Sequence, residues 1–344
     1  MSTEFWQLLL GAEMPHEKSR ALVRGLGSSL MEPLDAVRHH ASLTPNERQR
    51  LEATSLNALS AALREGVQLL MEDTYPEPLQ QAENWAPPAL FVQGNLEALD
   101  EPTVGIVGTR NASAYGKACA HKFAESLAAK GVTIVSGGAL GIDAAAHRGA
   151  LAAGGATVAV LAGGIDNVYP SMHAALFRQM RQRGCLISQY AVGSRPTPYK
   201  FLARNGTIAA LSQVLIVVEA PTKSGALTTA NASIELGREV FVVPANIDNY
   251  DFRGSFNLIR DGATLVYHPE QVLEVLGISG EPLALPDVGE KAERILRILG
   301  MEPIDAERIV ERTGLSASDV LSELTMLELE GRVRRDSGGY LLGK

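Results

Sequence analysis

The chain has 344 residues, 46% of them hydrophobic, and 31 Lys and Arg against 39 Asp and Glu give a net charge of −8. This length and apolar content predict a globular, soluble protein of two or three domains. The two cysteines, Cys119 and Cys185, have neither C-x-x-C spacing nor a His/Cys cluster near them, so a disulfide framework and a zinc site are not expected.

The N-terminal segment has the features of neither a signal peptide nor a membrane span. It lacks a basic leader, and its apolar run at residues 5–10 is interrupted by Gln7 and followed by Gly11 and Glu13. We therefore expect a cytoplasmic protein without a membrane segment.

The charge is unevenly distributed along the chain. Residues 1–100 carry 7 Lys/Arg and 14 Asp/Glu (net −7), residues 101–268 carry 15 and 10 (net +5), and residues 269–344 carry 9 and 15 (net −6). A polyanion responds to the local field, because salt screens charges more than about 10 Å away. The basic central segment is therefore compatible with a nucleic-acid partner, although the net charge of the whole chain is negative.

Residues 1–72 are predicted to form a small helical domain. Apolar residues recur at helical spacing in residues 5–10, 21–26, 30–37 and 51–70, with proline or glycine between the segments. A glycine turn at residues 25–28 could offer backbone donors to a DNA phosphate, but the acidity of the segment favours a structural or protein-contact role.

Residues 73–278 are predicted to form a Rossmann-like α/β domain with a doubly wound, mostly parallel sheet. After a proline-rich linker and a strand at residues 90–94, β-branched runs alternate with helical stretches, as in a parallel sheet covered on both faces. The further predicted strands are residues 103–107, 132–135, 156–161, 185–188, 214–219, 240–243 and 264–267.

Glycine-rich turns follow several of these strands, at the edge where such sheets bind ligands. They include Gly108-Thr109-Arg110, the turn beginning Ser136-Gly137, residues 162–165, and Ser224-Gly225 at the start of a helix. Backbone N–H groups at a helix N-terminus favour phosphate, and Arg110 adds a forked cation. One such turn is weak evidence, since tight turns need glycine for geometry alone, but four on one edge favour an anion-binding surface.

The enzyme interpretations find less support. Gly105-Ile-Val-Gly108 lacks the G-x-G-x-x-G spacing of a nicotinamide or flavin site, and the Walker pattern is absent. Asp143 and His147 share a helix face and could be a metal or acid–base pair, yet a capping Asp with a packed His is favoured because no third ligand has matching spacing. We expect no catalytic residues and no cofactor.

Residues 195–206 combine cations and aromatic rings beside a predicted helix. Single-stranded nucleic acid is held by cations on its backbone and by rings stacked on its bases. Lys200 and Arg204 supply cations, and Tyr199 and Phe201 could supply rings. From spacing alone, Phe201 is equally well a core residue of the helix.

Residues 279–287 are predicted to be a linker and residues 288–344 a winged-helix domain, with helices at 290–299, 305–313 and 316–329 and a two-stranded wing. A winged helix normally reads a DNA groove, but a phosphate-lined groove would repel a third helix that has no Lys or Arg. A protein-contact or regulatory role is therefore favoured, with Arg332, Arg334 and Arg335 as the argument against it. The acidic residues of this helix are Asp319, Glu323, Glu328 and Glu330.

Several motifs occur in order across residues 75–275. They are Val104-Gly-Ile-Val-Gly-Thr-Arg110, Val135-Ser-Gly-Gly-Ala-Leu-Gly-Ile-Asp-Ala-Ala-Ala-His147, Gly164-Ile-Asp-Asn-Val-Tyr-Pro170, Phe201-Leu-Ala-Arg-Asn205, Ser224-Gly-Ala-Leu-Thr-Thr-Ala230 and Gly237-Arg-Glu-Val-Phe-Val-Val-Pro244. Together they resemble the DNA-processing protein A (DprA, also called Smf) family. The outer domains are similar to that family's sterile-alpha-motif-like N-terminal domain and winged-helix C-terminal domain.

The resemblance implies a recombination mediator that binds and protects incoming single-stranded DNA, dimerises through its Rossmann-like domain and loads the RecA recombinase in natural transformation. It favours a base contact by Phe201. The DNA contacts that it implies are Gly108, Thr109, Arg110, Ser136, Gly137, Lys200, Phe201, Arg204, Asn205, Ser224 and Gly225.

Three positions depart from the family pattern. The usual Arg-Asn-Arg is Arg204-Asn205-Gly206, the residue after Tyr169-Pro170, which is sometimes basic in the family, is Ser171, and Pro244 is followed by Ala245 rather than glycine. These departures predict a less basic pocket, or one whose cations come from elsewhere.

Two alternatives remain. The similar Rossmann-like lysine-decarboxylase-like proteins hydrolyse nucleotides and carry a Pro-Gly-Gly-x-Gly-Thr loop, which this chain replaces with Ser224-Gly-Ala-Leu-Thr-Thr229. A transcription factor built on the winged helix is the weaker alternative, because the third helix is acidic.

Overall fold

The computed structural model describes residues 1–26, 33–82, 85–278, 289–300, 302–329, 332–336 and 338–343. The chain divides into two compact units, Met1–Gly280 and Glu281–Lys344. Among the described residues, no helix combines the length and apolar character needed to cross a membrane.

A nine-stranded sheet lies at the centre of the described part of the first unit. Its strands are β1 Gln68–Met71, β2 Ala89–Gly94, β3 Thr103–Val107, β4 Thr133–Ser136, β5 Thr157–Leu161, β6 Cys185–Ser188, β7 Val214–Val217, β8 Glu239–Val242 and β9 Thr264–Leu265. The spatial order is β1-β2-β6-β5-β4-β3-β7-β8-β9. β2 pairs antiparallel with β1 and β6, and all other neighbours pair in parallel.

Helices cover both faces of this sheet, as the alternation of strands and helices predicts. The helices of the unit are α1 Thr3–Gly11, α2 His16–Leu26, α3 Pro33–Arg38, α4 Pro45–Glu52, α5 Leu56–Arg64, α6 Glu77–Gln80, α7 Ala114–Ala128, α8 Ile142–Ala152, α9 Ala174–Arg183, α10 Pro198–Leu211, α11 Gly225–Glu235, α12 Arg253–Arg260 and α13 Pro269–Val275. α7 and α8 pack with Val104 and Ile106 of β3. α10 and α11 pack on the other face, with Val107. The predicted doubly wound α/β fold is confirmed.

The prediction of one helix over residues 51–70 is wrong. Ser55 begins α5 by accepting a hydrogen bond from the N–H of Ala58 (3.2 Å). The chain then turns at Gly66, whose φ of 80° suits glycine. The residues that follow form β1, because they pair antiparallel with the edge of β2. In this pairing Gln68 lies opposite Val92.

The N-terminal helices and the sheet share apolar contacts. Phe5, Leu8 and Leu9 of α1 belong to the same buried cluster as Phe177 of α9 and Leu186 of β6. The side chain of Gln7 adds polar contacts, because its Nε2 donates to the carbonyl of Val192 (2.9 Å) and its Oε1 accepts from the N–H of the same residue (2.9 Å). The domain boundary near residue 72 stays a prediction.

The second unit has winged-helix topology. Its elements are α14 Glu290–Leu296, α15 Ala306–Thr313, α16 Ala317–Leu329, β10 Val333–Asp336 and β11 Gly339–Leu342, and the two strands pair antiparallel. Ile295, Ile309 and Leu324 meet in its core. Gly314 ends α15 with φ of 65°, which turns the chain towards α16. The predicted winged helix is confirmed, while the predicted linker at residues 279–287 and Glu330 lie outside the described residues.

Candidate nucleic-acid interface

A cleft of about 770 Å³ opens at the carboxyl ends of the parallel strands; we call it the main cleft. Its walls come from the loop after β3, from α10 and from the start of α11. Eight of the predicted contact residues line it, although they come from distant parts of the sequence. They are Gly108, Thr109, Arg110, Phe201, Arg204, Asn205, Ser224 and Gly225.

The loop after β3 is held in place by Glu219, a fully buried carboxylate. The backbone N–H of Ser113 donates to both oxygens of this carboxylate (3.1 Å each), and its hydroxyl donates to one of them (2.7 Å). The carbonyl of Glu219 accepts from the N–H of Thr109 (2.7 Å). This N–H is therefore used within the protein, and the anion-binding character of the loop depends more on the Arg110 side chain than we predicted.

Glycine at position 116 is required by the same arrangement. A Cβ at Gly116 would lie 2.0 Å from an oxygen of the Glu219 carboxylate. Any larger residue would push the carboxylate away from Ser113 and release the loop that carries Arg110.

Arg110, Phe201 and Tyr169 form an aromatic and cationic cluster in the main cleft. The guanidinium carbon of Arg110 lies 4.3 Å from the centroid of the Phe201 ring. The ring of Tyr169 meets that of Phe201 edge to face, with centroids 5.9 Å apart. Among the described residues, the Arg110 guanidinium has no hydrogen-bond or ion-pair partner, and its charge is left facing the cleft. Phe201 is half-buried here rather than packed in the sheet core.

Arg204 lies beneath this cluster and is 3% exposed. Its Nη1 donates to the carbonyl of Gly137 (2.7 Å) and to the carbonyl of Val160, and so joins the ends of β4 and β5. Burial lowers the pKa of the Arg204 guanidinium, although the charge of Asp143 opposes that shift. Burial likewise raises the pKa of the Asp143 carboxyl, with Arg204 opposing it. The two opposite charges stabilise each other at the floor of the main cleft, which both residues line.

Ser136 and Gly137 support the main cleft from behind and do not line it. The hydroxyl of the fully buried Ser136 donates to the carbonyl of Ile106 (2.7 Å), which links β4 to β3. A Cβ at Gly137 would lie 2.0 Å from Nη1 of Arg204, so glycine makes room for the guanidinium.

Lys200 also lies away from the main cleft. Its ammonium nitrogen is 2.6 Å from Oε1 of Glu13, 2.5 Å from Oγ of Ser194 and 3.0 Å from the carbonyl of Arg195. With its side chain only 7% exposed, this lysine connects α10 to the segment after α1. Its charge is satisfied within the protein.

Tyr169 and Lys223 are among the residues lining the main cleft that sequence reasoning did not name as contacts. Lys223 is exposed and is the cation of the turn that precedes α11. Lys223 fits the expectation that cations of the pocket come from positions outside the family's usual ones. Gly206, where the family resemblance led us to expect a cation, faces Trp85, since a Cβ there would lie 2.6 Å from the indole ring.

Asp143 and His147 form hydrogen bonds with neighbouring groups of the protein itself. Nε2 of His147 accepts from the N–H of Gly138 (3.2 Å), and its Nδ1 lies 2.7 Å from the hydroxyl of Thr157. Burial lowers the pKa of His147 to about 3, which keeps the ring neutral. Asp143 accepts from the N–H of Ala139 (3.3 Å).

Lys200→Gln is expected to lower the free energy of unfolding by roughly 1–3 kcal/mol, because a nearly buried charge-assisted hydrogen bond to Glu13 is lost. Urea denaturation of the variant measures this loss. Lys223→Gln is the matched control, since Lys223 is exposed and should change stability by less than about 0.5 kcal/mol. Equal stability of the two variants would contradict the assignment of Lys200.

Comparison with known proteins decides the family. The profile described as DNA recombination-mediator protein A matches residues 67–277, more than half of the chain. The chain belongs to this family. A second profile, the DprA winged helix domain, matches residues 279–339. The resemblance drawn from the motifs is confirmed.

Individual relatives agree with this assignment. Protein Smf from Escherichia coli is 38% identical over 279 residues, which are 78% of this chain and 74% of that protein. The DNA processing protein DprA proposed in Mycobacterium tuberculosis (strain H37Rv) is 40% identical over 245 residues, 69% of this chain and 63% of that protein. The match thus spans slightly less than two thirds of the mycobacterial relative.

Two solved structures are similar. The X-ray structure of DNA processing protein A from Streptococcus pneumoniae is 31% identical, with a TM-score of 0.68, and the match covers 79% of this chain and 98% of that one. A structure concerned with the single-stranded DNA binding mode of DNA processing protein A from Helicobacter pylori is 30% identical, with a TM-score of 0.56, and the match covers 61% and 95%.

Proposed function

We propose that this protein is a non-catalytic recombination mediator that binds single-stranded DNA in the main cleft. The observation that carries the proposal is the exposed Arg110 guanidinium, which stacks on the Phe201 ring beside Tyr169 and has no hydrogen-bond or ion-pair partner among the described residues. This is the combination that a single strand requires, because cations bind its phosphates and rings stack on its bases. The Helicobacter pylori relative, described by its single-stranded DNA binding mode, supports the same ligand.

Each wall of the main cleft has a role in this proposal. Phe201 offers its ring to a base, with the half-exposed Tyr169 beside it. Arg110 and Lys223 bind phosphates on either side of that base. A duplex keeps its bases stacked and paired, so the rings have nothing to contact, and we expect single-stranded oligo-dT to bind more tightly than duplex of the same length.

Arg110→Ala is expected to weaken oligo-dT binding and to reduce the slope of log affinity against log salt by about 0.7, the contribution of one phosphate contact on a single strand. Fluorescence anisotropy over a salt series measures both quantities. Arg183→Ala is the control, because Arg183 is an exposed arginine of α9 that does not line the main cleft. An unchanged slope for Arg110→Ala would remove Arg110 from the site.

An enzyme that binds or hydrolyses nucleotides is the second candidate. The cleft of about 770 Å³ would accommodate a nucleotide, but its carboxylate, Asp143, is buried and faces the charge of Arg204. Incubation with nucleoside monophosphates separates the candidates. We expect no free base, and its release at an enzymatic rate would contradict the binding-only proposal.

Further parts of the proposal concern partners. The protein protects incoming DNA, acts in the cytoplasm as a homodimer through its Rossmann-like domain, and loads RecA in natural transformation. We assign the winged helix a protein-contact or regulatory role, because α16 carries acidic residues and no Lys or Arg and would be repelled by a phosphate-lined groove. Sedimentation of the pure protein, with and without RecA and oligo-dT, tests these contacts, and a monomer that never co-sediments with RecA would contradict them.

A further inference from the structure

Arg110 lines a second groove, of about 570 Å³, as well as the main cleft. This groove lies between α7 and α8, and we call it the α7/α8 groove. Lys117 and His121 come from α7, one helical turn apart, and Arg148 comes from α8. None of the residues lining the groove is Asp or Glu.

The backbone brings the start of this groove against the loop that carries Arg110. Gly141, just before α8, has φ of 78°, and a Cβ on it would lie 2.3 Å from the carbonyl oxygen of Thr109. From Gly141 the groove follows one face of α8 to Arg148, seven residues or about 10 Å further along the helix axis. Leu140, 40% exposed, adds an apolar surface near the entrance. The two clefts therefore share one lining cation, Arg110.

The cations of the α7/α8 groove are not neutralised within the described protein. Lys117 and Arg148 are exposed, and neither has a hydrogen-bond or ion-pair partner among the described residues. The acid beside the groove is Glu125, whose Oε2 lies 3.6 Å from Nδ1 of His121. Arg110, Lys117 and Arg148 give the groove a locally positive field, which favours binding of an anion. An extended polyanion that already contacts Arg110 is an anion that can reach the other two cations.

We infer that single-stranded DNA held in the main cleft passes Arg110 and continues along the α7/α8 groove, where Lys117 and Arg148 bind its phosphates. This inference rests on the proposed function. It implies that the protein covers more nucleotides than the main cleft alone can hold. It also assigns a role to cations outside the motifs that mark the main cleft.

Strand length is the variable that tests the inference. The double variant Lys117→Gln/Arg148→Gln is compared with the wild type on oligo-dT of about 6 and about 25 nucleotides, one length near the lower end of the usual range of about 4–16 for one binding site and one above it. On the long oligonucleotide we expect weaker binding and a salt slope reduced by about 1.4, for two phosphates. On the short one, affinity and slope should match the wild type.

The control is Lys130→Gln/Arg183→Gln, two exposed cations that line neither the main cleft nor the α7/α8 groove. It should match the wild type at both lengths. If the Lys117/Arg148 variant binds the long oligonucleotide like the wild type, or loses affinity equally at both lengths, the inference is overturned. If the wild type binds neither oligonucleotide, the proposed function itself fails.

Discussion

Replacing Arg204 with methionine is expected to lower the free energy of unfolding by roughly 3–5 kcal/mol at neutral pH, the usual cost of removing one partner from a buried charged arrangement. The guanidinium is 3% exposed and donates to the carbonyls of Gly137 and Val160. Its charge also opposes the effect of burial on Asp143. Methionine fills a similar volume but supplies neither the donors nor the charge. Urea denaturation measures the loss.

The loss should depend on pH in a defined direction. Burial raises the pKa of Asp143 in the folded protein, and without Arg204 it should rise further. An acid whose pKa is higher in the folded than in the unfolded chain destabilises the fold above its folded pKa, and this effect disappears as the pH falls towards the unfolded value. The deficit of Arg204→Met relative to wild type should therefore shrink as the pH falls from neutral towards the unfolded-chain pKa of an aspartate, about 4.

A double-mutant cycle measures the interaction energy between Arg204 and Asp143. Asp143→Asn removes the buried charge, so Arg204→Met should cost less in that background than in the wild type. Additive losses, together with a deficit that does not change with pH, would show that Arg204 acts only through its hydrogen bonds to the two carbonyls.

Phe201→Ala is expected to weaken oligo-dT binding by about 5- to 160-fold, because stacking of one base on a ring contributes about 1–3 kcal/mol. The salt slope should stay unchanged, since no phosphate contact is lost. Arg110→Ala, in contrast, is expected to reduce the salt slope as well as the affinity. Anisotropy titrations over the same salt series distinguish the two.

Tyr199→Ala is the matched control for Phe201→Ala. Tyr199 lies on the same helix and is 67% exposed, but it does not line the main cleft. It should bind oligo-dT like the wild type. Equal losses for the two variants would place the stacking surface on the other face of α10.

Much of the fold was predictable because local pattern and sheet geometry agree. The parallel strands are buried on both faces, so they appear as continuous apolar runs. The carboxyl ends of such strands meet at one edge, and for that reason turns far apart in sequence were expected to form one site. The main cleft gathers eight of the predicted residues at this edge.

The direction in which Lys200 points could not be predicted. Neighbouring residues on a helix project about 100° apart, so one of Lys200 and Phe201 can face the cleft while the other faces away from it. Which of them does so depends on how α10 is rotated. The contact of Lys200 with Glu13, far away in the sequence, accompanies the rotation that turns Phe201 towards Arg110.

Long-range pairing explains the error at residues 68–71. The preceding leucines and alanines suit a helix, and local propensity extends that pattern into β1. The strand forms because β2 has an edge available for pairing, a feature of the assembled sheet. The use of the Thr109 N–H by the carbonyl of Glu219 is likewise visible only after β3 and β7 are placed side by side.

Ultraviolet crosslinking of the wild-type protein to oligo-dT, followed by mass spectrometry of the crosslinked peptides, tests the central claim most directly. A thymine stacked in the main cleft lies against the rings of Phe201 and Tyr169. We predict that the crosslinked peptides contain Phe201 or Tyr169. Crosslinks confined to the winged-helix unit, residues 289–343, would contradict the assignment of the main cleft as the DNA-binding site.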